Sequence, residues 1–225
     1  MKILEFVIPY HDTDCKIIGS GVLIYAIHDN KIHFLLGQED SDKRFGIFGG
    51  RIKPNNSIEE TAIREFEEET LGVVTTKQYI EHAIRSGGYS LKFNGAAGIN
   101  RYFVTYMIRI PFNATIPAKF RRTRTGLFDG SSHHTVPGCV DSNGKVRYDY
   151  LEKRELSWFP ADDIIGTALR SRWNHPVEGI PGHPMFRRPF LAGLSGLVQY
   201  FNLNMFLRDL VWCENTCAIN FQFAQ

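Results

Sequence analysis

The stretch 49-GGRIKPNNSIEETAIREFEEETLGV-73 decides the reading of this chain. Two glycines and a proline-bearing loop lead into a segment crowded with carboxylates. Ser57 followed three residues later by Glu60 is a capping-box pattern, so a helix is predicted to start at Ser57 or Ile58. Ile58, Ala62, Phe66 and Thr70 recur every four residues and give that helix a face to bury. Glu65, Glu68 and Glu69 stand at i, i+3 and i+4, which converges their carboxylates on the adjoining face. Like charges so spaced destabilise an isolated helix by roughly 0.2–0.5 kcal/mol per pair, and a divalent cation is the natural compensation. Magnesium takes oxygen ligands, commonly one or two carboxylates with water and substrate phosphates. Arg64 is placed to orient a neighbouring carboxylate through a bidentate hydrogen bond. Gly49 and Gly50 suit a backbone that passes close to a helix start and leaves room for a phosphate. The competing reading is a solvated acidic face, the commoner fate of a bare Glu-rich helix. The glycine pair, capping box and Arg64 at fixed offsets favour the metal reading.

The same residues resemble the Nudix box, G-x5-E-x7-R-E-U-x-E-E-x-G-U, where U is a bulky aliphatic residue. Gly50 falls on the first glycine, Arg64-Glu65 on the R-E pair, Phe66 on U and Glu68-Glu69 on the E-E pair. The pattern departs at Asn56, where the box has its first glutamate, and at Leu71, an extra residue before Gly72. The resemblance implies Glu65, Glu68 and Glu69 as metal ligands, and a catalytic role for Glu65, Glu68 and Arg64. It implies substrate contacts from Gly49, Gly50, Arg51 and Tyr89, the last roughly where dinucleoside polyphosphate hydrolases of the family carry a tyrosine. Chance or packing competes strongly with that role for Tyr89. Asn56 is expected to weaken a supporting ligand or hydrogen bond, and Leu71 to alter only the helix exit. The implied fold is an α/β/α sandwich with a mixed β-sheet. The implied cofactor is Mg2+, with Mn2+ as a substitute. The implied activity is hydrolysis of a diphosphate linkage in a nucleotide sugar, dinucleoside polyphosphate or nucleoside triphosphate.

At 225 residues the chain fits one domain with an extension, or one large domain. We expect a core over residues 1–170 and a C-terminal loop-and-helix extension over 171–225. The formal net charge of +2 argues against a polyanionic partner by bulk charge alone. Lys119, Arg121, Arg122 and Arg124 nevertheless cluster, as do Arg170, Arg172, Arg187 and Arg188. Each set reads either as a solvated loop or as a phosphate-facing rim. Cys15, Cys139, Cys213 and Cys217 lack the second close pair that a four-ligand zinc site needs, so reduced thiols are expected. The N-terminal apolar run is too short for a signal peptide, and no stretch reaches the roughly 18 apolar residues of a membrane span. A cytoplasmic protein without a membrane partner is the expectation, with a homodimer by family analogy.

Along the chain, Ile3–Pro9 reads as a strand. Ile17–His28 and Lys31–Gln38 flank Asp29-Asn30 and read as a hairpin. Phe45–Gly50 is the strand that delivers the chain into the acidic helix. A further strand is expected near Val73–Ile80, leading to a loop at Ser86-Gly87-Gly88. Arg101–Ile110 is the clearest later strand. Asn113–Asn143, with Pro117, Gly126, Gly130 and Pro137-Gly138, reads as a long loop or insertion, and loops of that length are often functional. His133 and His134 in it read first as surface histidines, and alternatively as groups reaching a metal or serving as a base. Glu152–Ile165 ends the sheet and starts a helix. Asn174–Arg188 is a loop, and Pro189 opens a helix with Phe190, Leu194, Leu197, Val198 and Phe201 on one face.

The general base is not assignable from the box alone, since a family base also occurs on loops outside it; Asp129, Asp141 and Glu152 are the outside candidates. Two other functions compete with the small-molecule hydrolase. One is hydrolysis of an RNA cap, with the basic clusters on the backbone and Trp158, Trp173 or Tyr89 stacking on the cap base. The other is a regulatory nucleotide-binding module without turnover, motivated by Asn56 and Leu71. Retention of Arg64, Glu65, Glu68 and Glu69 argues against the latter.

Overall fold

The hairpin β1 (Lys16–His28) and β2 (Lys31–Glu39) is the first element in the computed structural model, which describes residues 16–85, 92–96, 101–171, 185–187, 190–191 and 194. Asp29 and Asn30 take φ of 50° and 58°, as a tight turn matched to strand twist requires, and His28 pairs with Lys31 across it. Past the hairpin end the two strands separate. The first half of β1 pairs antiparallel with β4 (Phe48–Arg51), while β2 runs on against β7 (Lys153–Pro160) and β3 (Phe45–Gly46). Along its other edge β1 pairs in parallel with β6 (Arg101–Arg109), and β5 (Lys92–Ala96) lies antiparallel beyond it. The result is a seven-stranded mixed sheet.

A parallel pair such as β1 and β6 needs a long crossover, and the helices within it cover the sheet. The helices of that crossover cover one face of β1 and a helix after β7 covers the other, so β1 is buried on both. Val22 and Ile24 pack with Ala62, Phe66, Ile80 and Phe120 on one side. Leu23 and Tyr25 pack with Ile164, Ala168, Leu191 and Leu194 on the other. The first side is covered by α1 (Ile58–Thr70), α2 (Lys77–Arg85) and α3 (Ile116–Asp129), the second by α4 (Ala161–Ser171). Phe190, Leu191 and Leu194 are helical and pack with α4. The fold is the α/β/α sandwich with a mixed sheet that the sequence implied. No helix among the described residues is long and apolar enough to cross a membrane.

Helix α1 forms as its sequence predicts. Ser57 caps it by accepting from the Glu60 N–H at 3.0 Å, and the Glu60 side chain accepts from the Ser57 N–H at 2.8 Å. At the other end Leu71 takes a left-handed φ of 54° with its side chain buried in the core, and Gly72 follows at 65°. A leucine in that conformation gives up backbone ease for the apolar contact it makes.

Two expectations are corrected. Val73–Ile80 is no strand: Thr76 accepts from the Tyr79 N–H and starts α2, whose buried Ile80 and Ile84 share one face. The β-branched residues Val73, Val74, Thr75 and Thr76 form the approach to that helix. Asn113–Asn143 is no long loop either. Fourteen of its residues form α3, with Pro117 in the first turn, where its missing N–H costs nothing, and Gly130 as a left-handed cap at φ 83°. Ile116, Phe120 and Leu127 bury one face. The expected strand at Ile3–Pro9 and the Ser86-Gly87-Gly88 loop lie outside the described residues, as do most positions of the expected C-terminal loop and helix.

If α3 is a packed helix, Phe120→Ala should cost about 3–5 kcal/mol, the usual loss for a fully buried phenylalanine. Phe128→Ala on the same helix, exposed to 64%, should stay within about 0.5 kcal/mol. Denaturant unfolding of the two variants checks the difference; equal effects would mean that this face is not core.

Candidate functional site

The site forms where β4 hands the chain to α1. Strand pairing with β1 holds Gly50, and a Cβ there would lie 2.4 Å from Glu65 Oε1. Only glycine leaves space for that carboxylate to lie against the strand. Glu65, Glu68 and Glu69 are each less than 9% exposed. A buried carboxylate is stable only with a counter-charge or donated hydrogen bonds, and these three find theirs in two separate groups.

Arg64 holds the first group. Its guanidinium donates to Glu65 (Nη2 to Oε1, 2.6 Å) and to Glu68 (Nη1 to Oε2, 2.7 Å). Arg147 approaches the other Glu68 oxygen at 3.4 Å while bonding Asp149 at 2.9 Å, and Lys53 lies 3.4 Å from the same Asp149 oxygen. Burial raises the Glu65 carboxyl above its ordinary range, and Arg64 opposes the rise without cancelling it.

Glu69 faces the second group. Its Oε2 accepts from the Gly49 N–H at 2.7 Å, and its Oε1 lies 3.0 Å from the Lys153 ammonium. Lys153 also bonds Glu39, and Arg187 reaches the same Glu39 oxygen at 2.8 Å. Glu39, Glu69 and Glu152 each bring a carboxylate oxygen within 4.8 Å of the others. Burial pushes Glu69 up to about 8, with the Lys153 charge pulling it down and Glu39 adding to the rise. Burial raises Glu152 as well, helped by the charge of Glu65. For Lys153 burial acts to lower the value, but Glu69 and Glu39 more than reverse it and keep the ammonium protonated.

The chemistry of this donor set fits Mg2+ or Mn2+. All the candidate ligands are hard carboxylate oxygens, as such cations prefer. Ser20, paired across the strands with Gly50, adds a buried hydroxyl that has no partner among the described residues.

The structure thus brings Arg64, Glu65 and Glu68 together and turns Glu69 toward another set of partners. Gly49 contributes its backbone N–H, Gly50 its missing side chain, and Arg51 stands exposed at the end of β4. Tyr89 lies outside the described residues. Of the outside bases, Glu152 is in the cluster. Asp141 accepts from the Asn143 and Lys145 N–H groups of its own loop. Asp129 bonds Ser131 at the end of α3, and those hydrogen bonds lower its carboxyl. His133 is bonded to the Leu127 carbonyl at 2.8 Å, and His134 is exposed. The basic cluster divides: Lys119, Arg121 and Arg122 face solvent, while Arg124 donates to the Lys153 carbonyl at 2.8 Å. Cys139 is a buried free thiol. Arg187, which the sequence marks only as one of a basic cluster, is turned onto Glu39, and Glu39, Lys153 and Arg147 carry no sequence signal, because no local pattern joins residues so far apart in the chain.

Residues 18–122 match the family model of the NUDIX domain. No curated protein matches the chain. Among solved structures, a Caenorhabditis elegans Ap4A hydrolase binary complex is 18% identical, with 66% of this chain and 82% of that one covered at a TM-score of 0.37. The NUDIX domain of Shewanella oneidensis NrtR, complexed with ADP ribose, is 15% identical, covering 68% and 77% at 0.38. A mutT/nudix family protein from Listeria innocua is 14% identical, covering 84% and 96% at 0.38.

The raised Glu69 carboxyl fixes a direction of pH dependence. Its stabilising contribution to the metal-free fold is complete below its ordinary value of 4.5 and is lost as pH rises to about 8. Glu65 and Glu152 act in the same sense. The unfolding midpoint of chelator-treated protein should therefore fall across that window, and Glu69→Gln should flatten the fall. A midpoint that rises over the same pH range would contradict the burial of these carboxyls.

Proposed function

The chain belongs to the Nudix superfamily through its domain at residues 18–122, and from that premise we propose that it is a metal-dependent hydrolase of diphosphate linkages in nucleoside diphosphate derivatives. The observation that carries this reading is the set of box glutamates buried together on α1, with Gly50 opened against Glu65 and Arg64 clamping Glu65 to Glu68. A helix used only for solvation would leave these carboxylates in water.

Glu65, Glu68 and Glu69 are the proposed metal ligands. A bound Mg2+ or Mn2+ supplies neutralisation of phosphate oxygens and a lowered pKa for its water. Arg64 fixes two of the carboxylates at once, so their geometry is set before substrate arrives. Glu65 is our assignment for the group that accepts the proton of the attacking water, and Glu152 is the alternative. Burial raises both carboxyls toward the working range of a general base. Gly49 and Gly50 bring the β4 backbone against Glu69 and Glu65 with no side chains of their own in the way, which keeps the carboxylates that would hold the metal close to the strand. Arg147, partly exposed beside Glu68, is a cation available to a substrate phosphate.

Of the three stacking candidates for cap hydrolysis, Trp173 and Tyr89 lie outside the described residues, and Trp158 is poorly available as a platform. Its ring packs on Phe112 and its Nε1 donates to the Asn113 carbonyl. We therefore place small nucleotides ahead of capped RNA. We also propose that residues 171–225 work as an extension of a 1–170 core. The backbone of Met185 and Arg187 bonds Phe45, and Arg187 reaches Glu39, in support of that division.

The test is hydrolysis in Mg2+ of nucleoside triphosphates, nucleotide sugars, dinucleoside polyphosphates, NADH and capped RNA, with products identified by mass. Wild type should release a nucleoside monophosphate or phosphate-bearing fragment from a small nucleotide. Glu68→Gln and Glu69→Gln should each reduce turnover by about 100-fold or more, the scale of removing a group that acts on reacting charge. Cleavage of capped RNA alone would favour the cap reading. Nucleotide binding with no cleavage of any substrate would favour a regulatory module.

A further inference from the structure

We propose that the Lys153 ammonium is a permanent cation of the site, holding the position between Glu39 and Glu69 so that no divalent ion binds in that corner. Metal is then confined to the side that Glu69 shares with Glu65 and Glu68 on α1. Lys153 acts as a positioning residue through those carboxylates. This rests on the reading of the cluster as a metal-dependent site, and it concerns how many ions that site takes and which residue limits the number.

Lys153 is a long charged side chain that is 1% exposed, too enclosed to touch a substrate. Its place is built by several elements. In the β2–β7 register Lys153 stands directly across from Glu39, at an irregularity that re-aims the strand. On the same strand Gly37 makes way for its stem, since a Cβ there would lie 2.9 Å from the Lys153 Cδ. Arg124 of α3 donates to the Lys153 carbonyl at 2.8 Å and to that of Leu151 at 3.4 Å, which fixes the backbone from the other side. The ammonium so placed bonds Glu39 and lies 3.0 Å from Glu69 Oε1.

The partner atoms of Glu69 and Glu39 are thereby engaged. Glu69 Oε2 takes the Gly49 N–H, and Arg187 shares the Glu39 oxygen that Lys153 binds. A divalent cation entering the corner would sit beside a buried positive charge that cannot withdraw to water. Like charges at such range repel strongly where the effective dielectric is low. With the ammonium removed, Glu39, Glu69 and Glu152 would bring three carboxylate oxygens within 4.8 Å of one another with Arg187 alone on Glu39, a surplus of negative charge that a divalent cation would offset.

The experiment counts Mn2+ bound per chain by electron paramagnetic resonance and calorimetry, without substrate, in wild type, Lys153→Met and Glu39→Gln. The expected result is one more tightly bound Mn2+ in Lys153→Met than in wild type, together with a melting midpoint that Mn2+ raises more in the variant. Glu39→Gln should leave the wild-type count unchanged, because the corner takes no ion while Lys153 is present. An equal count in Lys153→Met and wild type would overturn the inference. So would the loss of an ion in Glu39→Gln, which decides the matter if Lys153→Met does not fold. No Mn2+ on wild type with one gained in Lys153→Met would support the inference, while counting against the proposed function alone.

Discussion

Buried carboxylates demand partners, and the architecture of this protein is largely the means by which those partners arrive. Helix α1 presents Glu65, Glu68 and Glu69 beneath the sheet, each nearly without contact with water. Leaving such charges unpaired costs several kcal/mol apiece in a protein interior. Arg64 comes from the same helix, Gly49 from β4, Lys153 from β7 and Arg187 from beyond α4. Each cation is sited by its own element, so the cluster ties the helix layer, the sheet and the C-terminal segment together.

The separation of β1 and β2 is what allows this. A simple hairpin would pair them along their whole length. Here β1 turns to β4 while β2 continues against β7, so Gly50 and Glu39 lie on different branches of the sheet. Helix α1 packs where β4 pairs with β1. From there Glu65 faces Gly50, and Glu69 faces Gly49 and Lys153. One helix thus meets two strand ends, which explains why three glutamates within a single turn of one another divide into two partner sets.

Misreading of the middle of the chain has a definite physical origin. Pro117 and Gly130 read as interruptions in the sequence, yet they stand at the two ends of a helix, where a missing N–H and a left-handed φ are helpful. The β-branched residues Val73 to Thr76 stand ahead of α2, a helix whose buried face is only Ile80 and Ile84, a short signal in sequence. Arg124 shows the functional side of the same error. Within a basic loop it reads either as a solvated residue or as part of a phosphate rim, whereas α3 turns it inward onto the Lys153 backbone.

Helix α1, its cap, its buried face and its carboxylate pattern were legible in the sequence because each depends on spacings of three or four residues. The hairpin was legible for the same reason, its turn chemistry being two adjacent residues. Local geometry converts such spacings directly into faces and ends. The partners of Glu69 followed no such rule. Glu39 and Lys153 lie 114 residues apart and meet only because β2 and β7 pair in one register. Sequence by itself determined which acids would share a helix. Tertiary structure alone decided which cations would meet them, since strand pairing, not chain proximity, sets that distance.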